Sequence, residues 1–541
     1  MAFSGGLVRC ICYKLTQTLT DLNDYLGPSQ VCTKPVDAPV SEPAPGLAST
    51  EIAIESDGTY IEAPSHAPRA RTRLETAQIS LNDCLACSGC VTSAETVLIG
   101  QQSIDEVRQE LNDKRGRAFV ITISSQSLAS LAARFLQEKR YISKGILLAR
   151  IAAKLRSLGF DVVADLSLAR HLAVRAHTRE FFARRAAKHI DGSFKLPMLA
   201  SACPGWVCYA EKAHSELLPY VAATKSPQQV AGVLAKRIYG PQTLGALQAS
   251  ENCARDVYHV VVMPCYDKKL EAARPDGENT DGTREVDCVL TTGELYDFLH
   301  EHGFDAEAPV PNEVDESSAV QLPEPGTSSG GYLFAILHAC YADFVAQYQA
   351  FPNVDLHIIR SADYTEYVLR APDGQKLFKG AHCYGFRNLQ NVVRKLQRET
   401  GVRGTRGRGR GMVRRGRDDA NEAYDYVEVM ACPSGCVNGG GQMRPPDAAA
   451  PVREDTPGWH GADRRWVEVV EAAYWDGAET LKVPTAELLR AATDGELHTW
   501  LRAMDDRSIP LENALGVLQT DVFRATYRGV EPENNGLAVQ W

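Results

Sequence analysis

The sequence predicts an α/β protein: parallel sheets flanked by helices, preceded by a small cysteine-bearing segment. Three observations carry this. From about residue 115 short apolar runs alternate with amphipathic stretches, the rhythm of strand and covering helix. The runs are apolar throughout rather than every second residue, as strands buried on both faces require. Three of them end in a cysteine, at the sheet edge where α/β proteins gather ligands.

The 541 residues suffice for two to four domains, and a content of 44% hydrophobic and 23% charged residues is that of a soluble globular chain. No apolar run approaches the ~20 residues of a membrane span. A formal net charge of -10 argues against a surface built for nucleic acid. Arg9 and Lys14 interrupt the weakly apolar start, so no signal peptide is expected. In the cytoplasmic, reducing compartment that follows, the 15 cysteines point to metal or redox work rather than disulfides.

In chain order, 1–31 is an extension without assignable structure, and a Pro/Ala/Ser-rich linker covers 35–50. Residues 51–63 alternate around Asp57-Gly58, a two-residue hairpin signal. The segment 32–110 forms a first unit around LNDCLACSGC (81–90), and 111–480 forms the large core. In it, strands are expected at 118–124 and 161–167, with a helix at 145–160 stopped by Gly159. The pattern continues through 195–203, 257–265 and 286–304. Two insertions interrupt it: an acidic, Pro-rich one at 305–326, and 401–419 with seven arginines among glycines. The latter reads as a disordered loop, with RNA or an acidic partner as the functional alternative. A helical segment and tail fill 481–541.

Cys84, Cys87 and Cys90 form C-x2-C-x2-C. Three thiolates so spaced wrap one corner of a cubane, each on a different iron, and a fourth ligand comes from elsewhere. Cys10, Cys12 and Cys32 are the upstream candidates. Zinc more often takes two separated pairs, and no second pair lies nearby. The other constellation is Cys203 in ASACPGW, Cys265 in VVMPCYDKK, and Cys432 with Cys436 in EVMACPSGCVNGGGQ. Helices starting at strand ends offer N–H groups and a positive dipole end, which favour thiolate and an anionic cluster. The run Gly439-Gly440-Gly441 permits close backbone approach. Cys208, Cys253, Cys288, Cys340 and Cys383 are expected to be small buried hydrophobes.

In this order, ACPGW, MPCYDKK and ACPSGCVNGGGQ resemble the signature segments of iron-only hydrogenases. With DLNDYLGPSQVCTKPV and ISLNDCLACSGC, the chain is similar to one branch of that superfamily, the hydrogenase-like cytosolic iron–sulfur assembly factors, also called nuclear architecture related or prelamin A recognition factor-like proteins. The similarity runs from about residue 20 to the end. It implies an iron-only-hydrogenase-like core and two [4Fe–4S] clusters, one on Cys32, Cys84, Cys87 and Cys90, the other on Cys203, Cys265, Cys432 and Cys436. It further implies a link between an early P-loop NTPase scaffold and a late targeting complex, which holds a WD40 protein and a HEAT-repeat adaptor. That work is cytoplasmic, with a nuclear share.

There are departures. Hydrogenases carry a proton-passing cysteine just before the first core ligand, and here Ala202 has no transferable proton. Lys268 matches the lysine that in hydrogenases bonds a cyanide of the diiron unit. Segment 1–16 and the Arg/Gly insertion have no counterpart. Trp541, after Gln540, resembles the terminal aromatic handle of targeting-complex partners. The resulting expectation is a non-catalytic assembly factor, with an active hydrogenase or a lamina-binding protein as alternatives.

Overall fold

In the computed structural model the described residues are 50–54, 60–64, 72–73, 101–137, 142–188, 195–245, 256–274, 277, 282–311, 324–400, 423–445, 464–476, 478–516 and 522–529. The first three stretches are strands β1 (Thr50–Ile54), β2 (Tyr60–Pro64) and β3 (Thr72–Arg73), in one antiparallel sheet. The expected hairpin is present. Its last pair is Ile54 with Tyr60, so the connection exceeds the two residues of the Asp57-Gly58 signal.

Two sheets form the core. The four-stranded one has the order β5-β4-β7-β8 and is parallel throughout. Its strands are β4 (Ala118–Ile123), β5 (Val162–Asp165), β7 (Val257–Met263) and β8 (Cys288–Thr291). Every residue of β4 and β7 is buried, as their unbroken apolar sequence requires. Helices α1 (Ile104–Asn112), α2 (Ser125–Gln137), α3 (Lys144–Ser157), α4 (Ser167–Lys188), α5 (Pro204–Ala213), α6 (Pro227–Leu234), α7 (Asp267–Ala272) and α8 (Thr292–Glu301) accompany the first half of the core. Helix α3 shows how sequence sets such an element. The Ser143 hydroxyl accepts from the Ile146 N–H, Leu147, Ile151 and Leu155 line one buried stripe, and Gly159 at φ +112° ends the turn. Burying each of those three side chains contributes roughly 1.5–3 kcal/mol.

The five-stranded sheet has the order β6-β12-β11-β10-β9. Strands β6 (Met198–Leu199), β12 (Tyr426–Met430) and β11 (Lys376–Tyr384) are parallel, whereas β10 (Tyr364–Arg370) and β9 (Asn353–Ile358) complete an antiparallel meander. The sequence reading of parallel sheets therefore holds for the first sheet and for half of the second. The strand expected over 195–203 shrinks to two residues. Pro197 offers no N–H, and the chain turns into α5 at Cys203.

Helices α9 (Tyr332–Tyr348), α10 (Phe386–Thr400), α11 (Arg464–Trp475), α12 (Ala486–Asp494) and α13 (Glu496–Ala514) cover this second sheet and the junction. Helices α2 and α4 stand between the sheets. Ala129, Ala133, Val174 and Phe181 face the five-stranded side, and Leu128, Leu131, Leu172 and Ala173 face clusters of the four-stranded side. No helix among the described residues is long and apolar enough to cross a membrane.

Candidate metal centre

Each core cysteine follows a strand at the same edge of its sheet. Cys203 is the N-cap of α5, with Pro204 at the first helical position, where a missing N–H costs nothing. Cys265 lies two residues beyond β7 and two before α7. Cys432 lies two residues beyond β12, and Cys436 falls within the 3₁₀ turn Gly435–Asn438.

Local geometry brings the three loops together. The Ala431 N–H donates to Cys203 Sγ at 3.4 Å, tying the first loop to the third. Gly435 N–H donates to the Cys432 carbonyl at 3.1 Å, closing a turn in which Ser434 and Gly435 both take left-handed backbone. A Cβ on Gly435 would lie 1.9 Å from Ser329 Oγ, the hydroxyl that accepts the Cys436 N–H at 2.9 Å. The glycine run serves the second loop. A Cβ on Gly439 would sit 2.2 Å from the Pro264 carbonyl, which itself accepts the Gly441 N–H at 2.9 Å. Close approach was expected of these glycines, and their near neighbour is the backbone that carries Cys265.

The electrostatics couple the same four residues. Burial pushes the Cys432 thiol up, and charge on Cys203, Cys265 and Cys436 pushes it further. Cys265 is raised by burial, then by Asp267, Cys436 and Cys203. Cys203 is pushed up to about 12 by burial and Cys436, against the opposing N–H bonds of Ala431 and Trp206. Cys436 is also raised by burial, though Lys268, the Ser329 hydroxyl and Arg170 act against it. Four thiols so placed cannot all ionise on their own, because their charges repel in a water-poor site. A cationic metal group resolves the repulsion by replacing their protons.

Among the described residues no three His, Cys, Asp or Glu side chains lie close enough to hold one metal ion, which would need every donor within about 2.3 Å of one point. A cubane takes each thiolate on a different iron and so needs a wider ring of sulfurs. Four cysteine thiols are the donor set that an iron–sulfur cubane takes.

Lys268 is buried beside this ring. Its Nζ donates to the Ala202 carbonyl at 3.0 Å and to Glu271 Oε2 at 2.8 Å, and Glu271 also accepts from Ser226 Oγ at 2.8 Å. Ala202, Lys268 and Glu271 are thus neighbours, and the position before Cys203 presents only a methyl group. Cys288, Cys340 and Cys383 are buried away from the ring, as expected, while Cys208 is half-buried. Cys253 lies outside the described residues, as do Cys10, Cys12, Cys32, Cys84, Cys87, Cys90 and Trp541.

Sequence reasoning missed Ser329, Asp267 and the support behind them. Glu428 accepts from Thr327 Oγ1 at 3.0 Å, from Tyr384 Oη at 2.6 Å and from the Leu333 N–H at 2.8 Å, which fixes the loop bearing Ser329. The Ser328-Ser329-Gly330-Gly331 cluster was the available signal, a turn composition leading into a helix.

Residues 117–440 match the family described as "Iron only hydrogenase large subunit, C-terminal domain". Among known proteins, the cytosolic iron-sulfur assembly component 3 of Rattus norvegicus is 39% identical over 97% of this chain and 98% of its own. The cytosolic Fe-S cluster assembly factor NAR1 of Mycosarcoma maydis is 39% identical over 92% of this chain and 86% of its own. Among solved structures, a variant of the apo [FeFe]-hydrogenase HydA1 from Chlamydomonas reinhardtii aligns with a TM-score of 0.53 at 23% identity, covering 79% of this chain and 98% of that one. This last likeness shows the hydrogenase fold.

Proposed function

Since the chain belongs to the cytosolic iron–sulfur cluster assembly factors, relatives of the iron-only hydrogenases, we propose that it holds two [4Fe–4S] clusters and links the early scaffold of that pathway to its late targeting complex. Its role is in cytosolic iron–sulfur protein assembly. The observation that carries the cluster reading is the convergence of four thiols, Cys432 buried and Cys203, Cys265 and Cys436 half-buried, from three strand ends tied together by the Ala431–Cys203 and Gly441–Pro264 hydrogen bonds. Cys203, Cys265, Cys432 and Cys436 would hold the core cluster. Cys32, Cys84, Cys87 and Cys90 would hold the other, in the segment 32–110.

The chain acts without turnover in this reading. Ala202 cannot accept or release a proton, so the position before Cys203 relays none toward a reacting centre. The Lys268–Glu271 pair neutralises charge in the buried pocket instead, and Ser329 and the Ala431 N–H orient the thiolates. A bound cluster would supply the cationic iron that keeps all four sulfurs deprotonated. The partners are a P-loop NTPase scaffold on one side, and a WD40 protein and HEAT-repeat adaptor on the other, with Trp541 as the docking handle. Maturation then reaches cytosolic and nuclear apoproteins.

The test is depletion of the protein followed by measurement of iron and activity in cytosolic iron–sulfur enzymes. Both should fall while mitochondrial iron–sulfur enzymes hold. Unchanged cytosolic enzymes would overturn the assignment. Hydrogen evolution from reduced viologen should stay at background, and robust turnover would exclude the non-catalytic reading.

A further inference from the structure

We propose that strand β9 joins two copies of this chain edge to edge, fusing their two five-stranded sheets into one. β9 is the outer strand of its sheet, and among the described residues nothing pairs with its far side. Natural edges are usually blunted by lysine, proline or a bulge, because free N–H and C=O groups recruit other strands. β9 reads Asn-Val-Asp-Leu-His-Ile and has neither lysine nor proline.

Its side chains are apolar where they should not be. Val354, Leu356 and Ile358 stand opposite Leu369, Tyr367 and Thr365, all buried on the face that α9 covers. That apolar face continues onto β9 past its cover, leaving Leu356 at 41% and Ile358 at 63% exposed. Tyr348, the last residue of α9, and Phe351, under the Arg490 guanidinium, are also exposed, at 59% and 42%. Exposed apolar surface of this kind marks contacts between proteins.

The register selects the partner. Ile359 N–H donates to the Tyr364 carbonyl at 3.0 Å. In an antiparallel ladder this alternation turns the backbone groups of 355 and 357 toward β10 and those of 354, 356 and 358 outward. A second β9 laid antiparallel with Leu356 opposite Leu356 meets all of these outward groups. Val354 then pairs with Ile358 of the second copy, apolar on apolar. On the other face Asp355, whose carboxylate accepts from Arg370 Nε at 3.0 Å within its own chain, meets the imidazole of His357 of the second copy, twice by symmetry. The strand is self-complementary in hydrogen bonding and in apolar matching, as a two-fold interface requires.

Sedimentation equilibrium of the anaerobically purified full chain tests this. The mass should rise toward twice the 59.2 kDa of one chain across the micromolar range. Leu356→Lys, which sets like charges opposite each other across the seam, and Ile358→Lys, which sets a charge against the apolar Val354 of the second copy, should each weaken self-association at least about tenfold. Ile509→Lys, on exposed α13, should leave it unchanged. Leu356→Cys should gain an inter-chain disulfide that Val354→Cys alone does not, because self-opposed residues lie about 5.5 Å apart at Cα. A monomer at every concentration would overturn the proposal. So would a dimer indifferent to Ile358→Lys, or retention of an unrelated polypeptide as the property that Ile358→Lys removes.

Discussion

Cys432 sits among three sulfurs that resist its ionisation and beneath a shell that excludes water. With metal bound, this hostility becomes affinity, since thiolates stable only on iron hold it firmly. Cys432→Ala should therefore lower iron from about eight to about four atoms per chain, if each four-cysteine site holds a cubane. It should also lower the melting temperature, because metal affinity is folding free energy. Unchanged iron in the variant would remove this residue from the ligand set. His171 offers a test away from the metal. Burial pulls its pKa down, but the Asp505 and Glu324 carboxylates, at 3.1 and 2.8 Å, outweigh that and hold it up at about 9. Since the folded value is raised, the stabilisation is complete below about pH 6.5 and fades as pH rises through 9. It is worth on the order of 3 kcal/mol. Thermal melts should drop across that window in the wild type and flatten in His171→Gln; parallel curves would refute the pairing. At this scale the cysteines were legible because their chemistry is rare. Ser329 was not, since nothing in a lone serine reveals that a loop over 100 residues away will lie beside it, and Asp267, though only two residues from Cys265, carries no signal that it also acts on Cys203 and Cys432.

At the scale of elements, the glycine run joins two loops rather than lining a cavity. Gly439→Ala would place a methyl group against the Pro264 carbonyl at 2.2 Å, with rigid backbone on both sides. The expected result is a loss of about 1–3 kcal/mol together with reduced iron, read by melting and iron assay. Full iron loading in this variant would mean that the Cys265 loop can move without consequence. β4, β7 and α3 were legible because burial on both faces, or on one stripe, writes an unmistakable pattern. β9 and β10 were not. In β10 the polar Thr365 and Glu366 are buried with their apolar neighbours, and in β9 the apolar Leu356 and Ile358 are exposed, so polarity does not follow burial, although the turn Pro372-Asp373-Gly374 was a readable hairpin signal. Gly374 there takes φ +88° and donates its N–H to the Ala371 carbonyl at 2.9 Å.

For the whole molecule, the expected anaerobic preparation carries about eight irons and eight acid-labile sulfides; a colourless, zinc-bearing protein would sink the cluster reading. The α/β class was legible from the alternation of runs. The division into two sheets was not, because it depends on which side of α2 and α4 each strand falls, a matter of three-dimensional packing. That division has one outcome worth following. Cys203, Cys432 and Cys436 belong to the five-stranded side and Cys265 to the four-stranded side. Whatever grips all four acts as a rivet through the seam between two halves, and corrosion of that rivet by oxygen would register as mechanical loosening. Limited proteolysis of the metal-free chain should therefore cut along the seam before either half unravels.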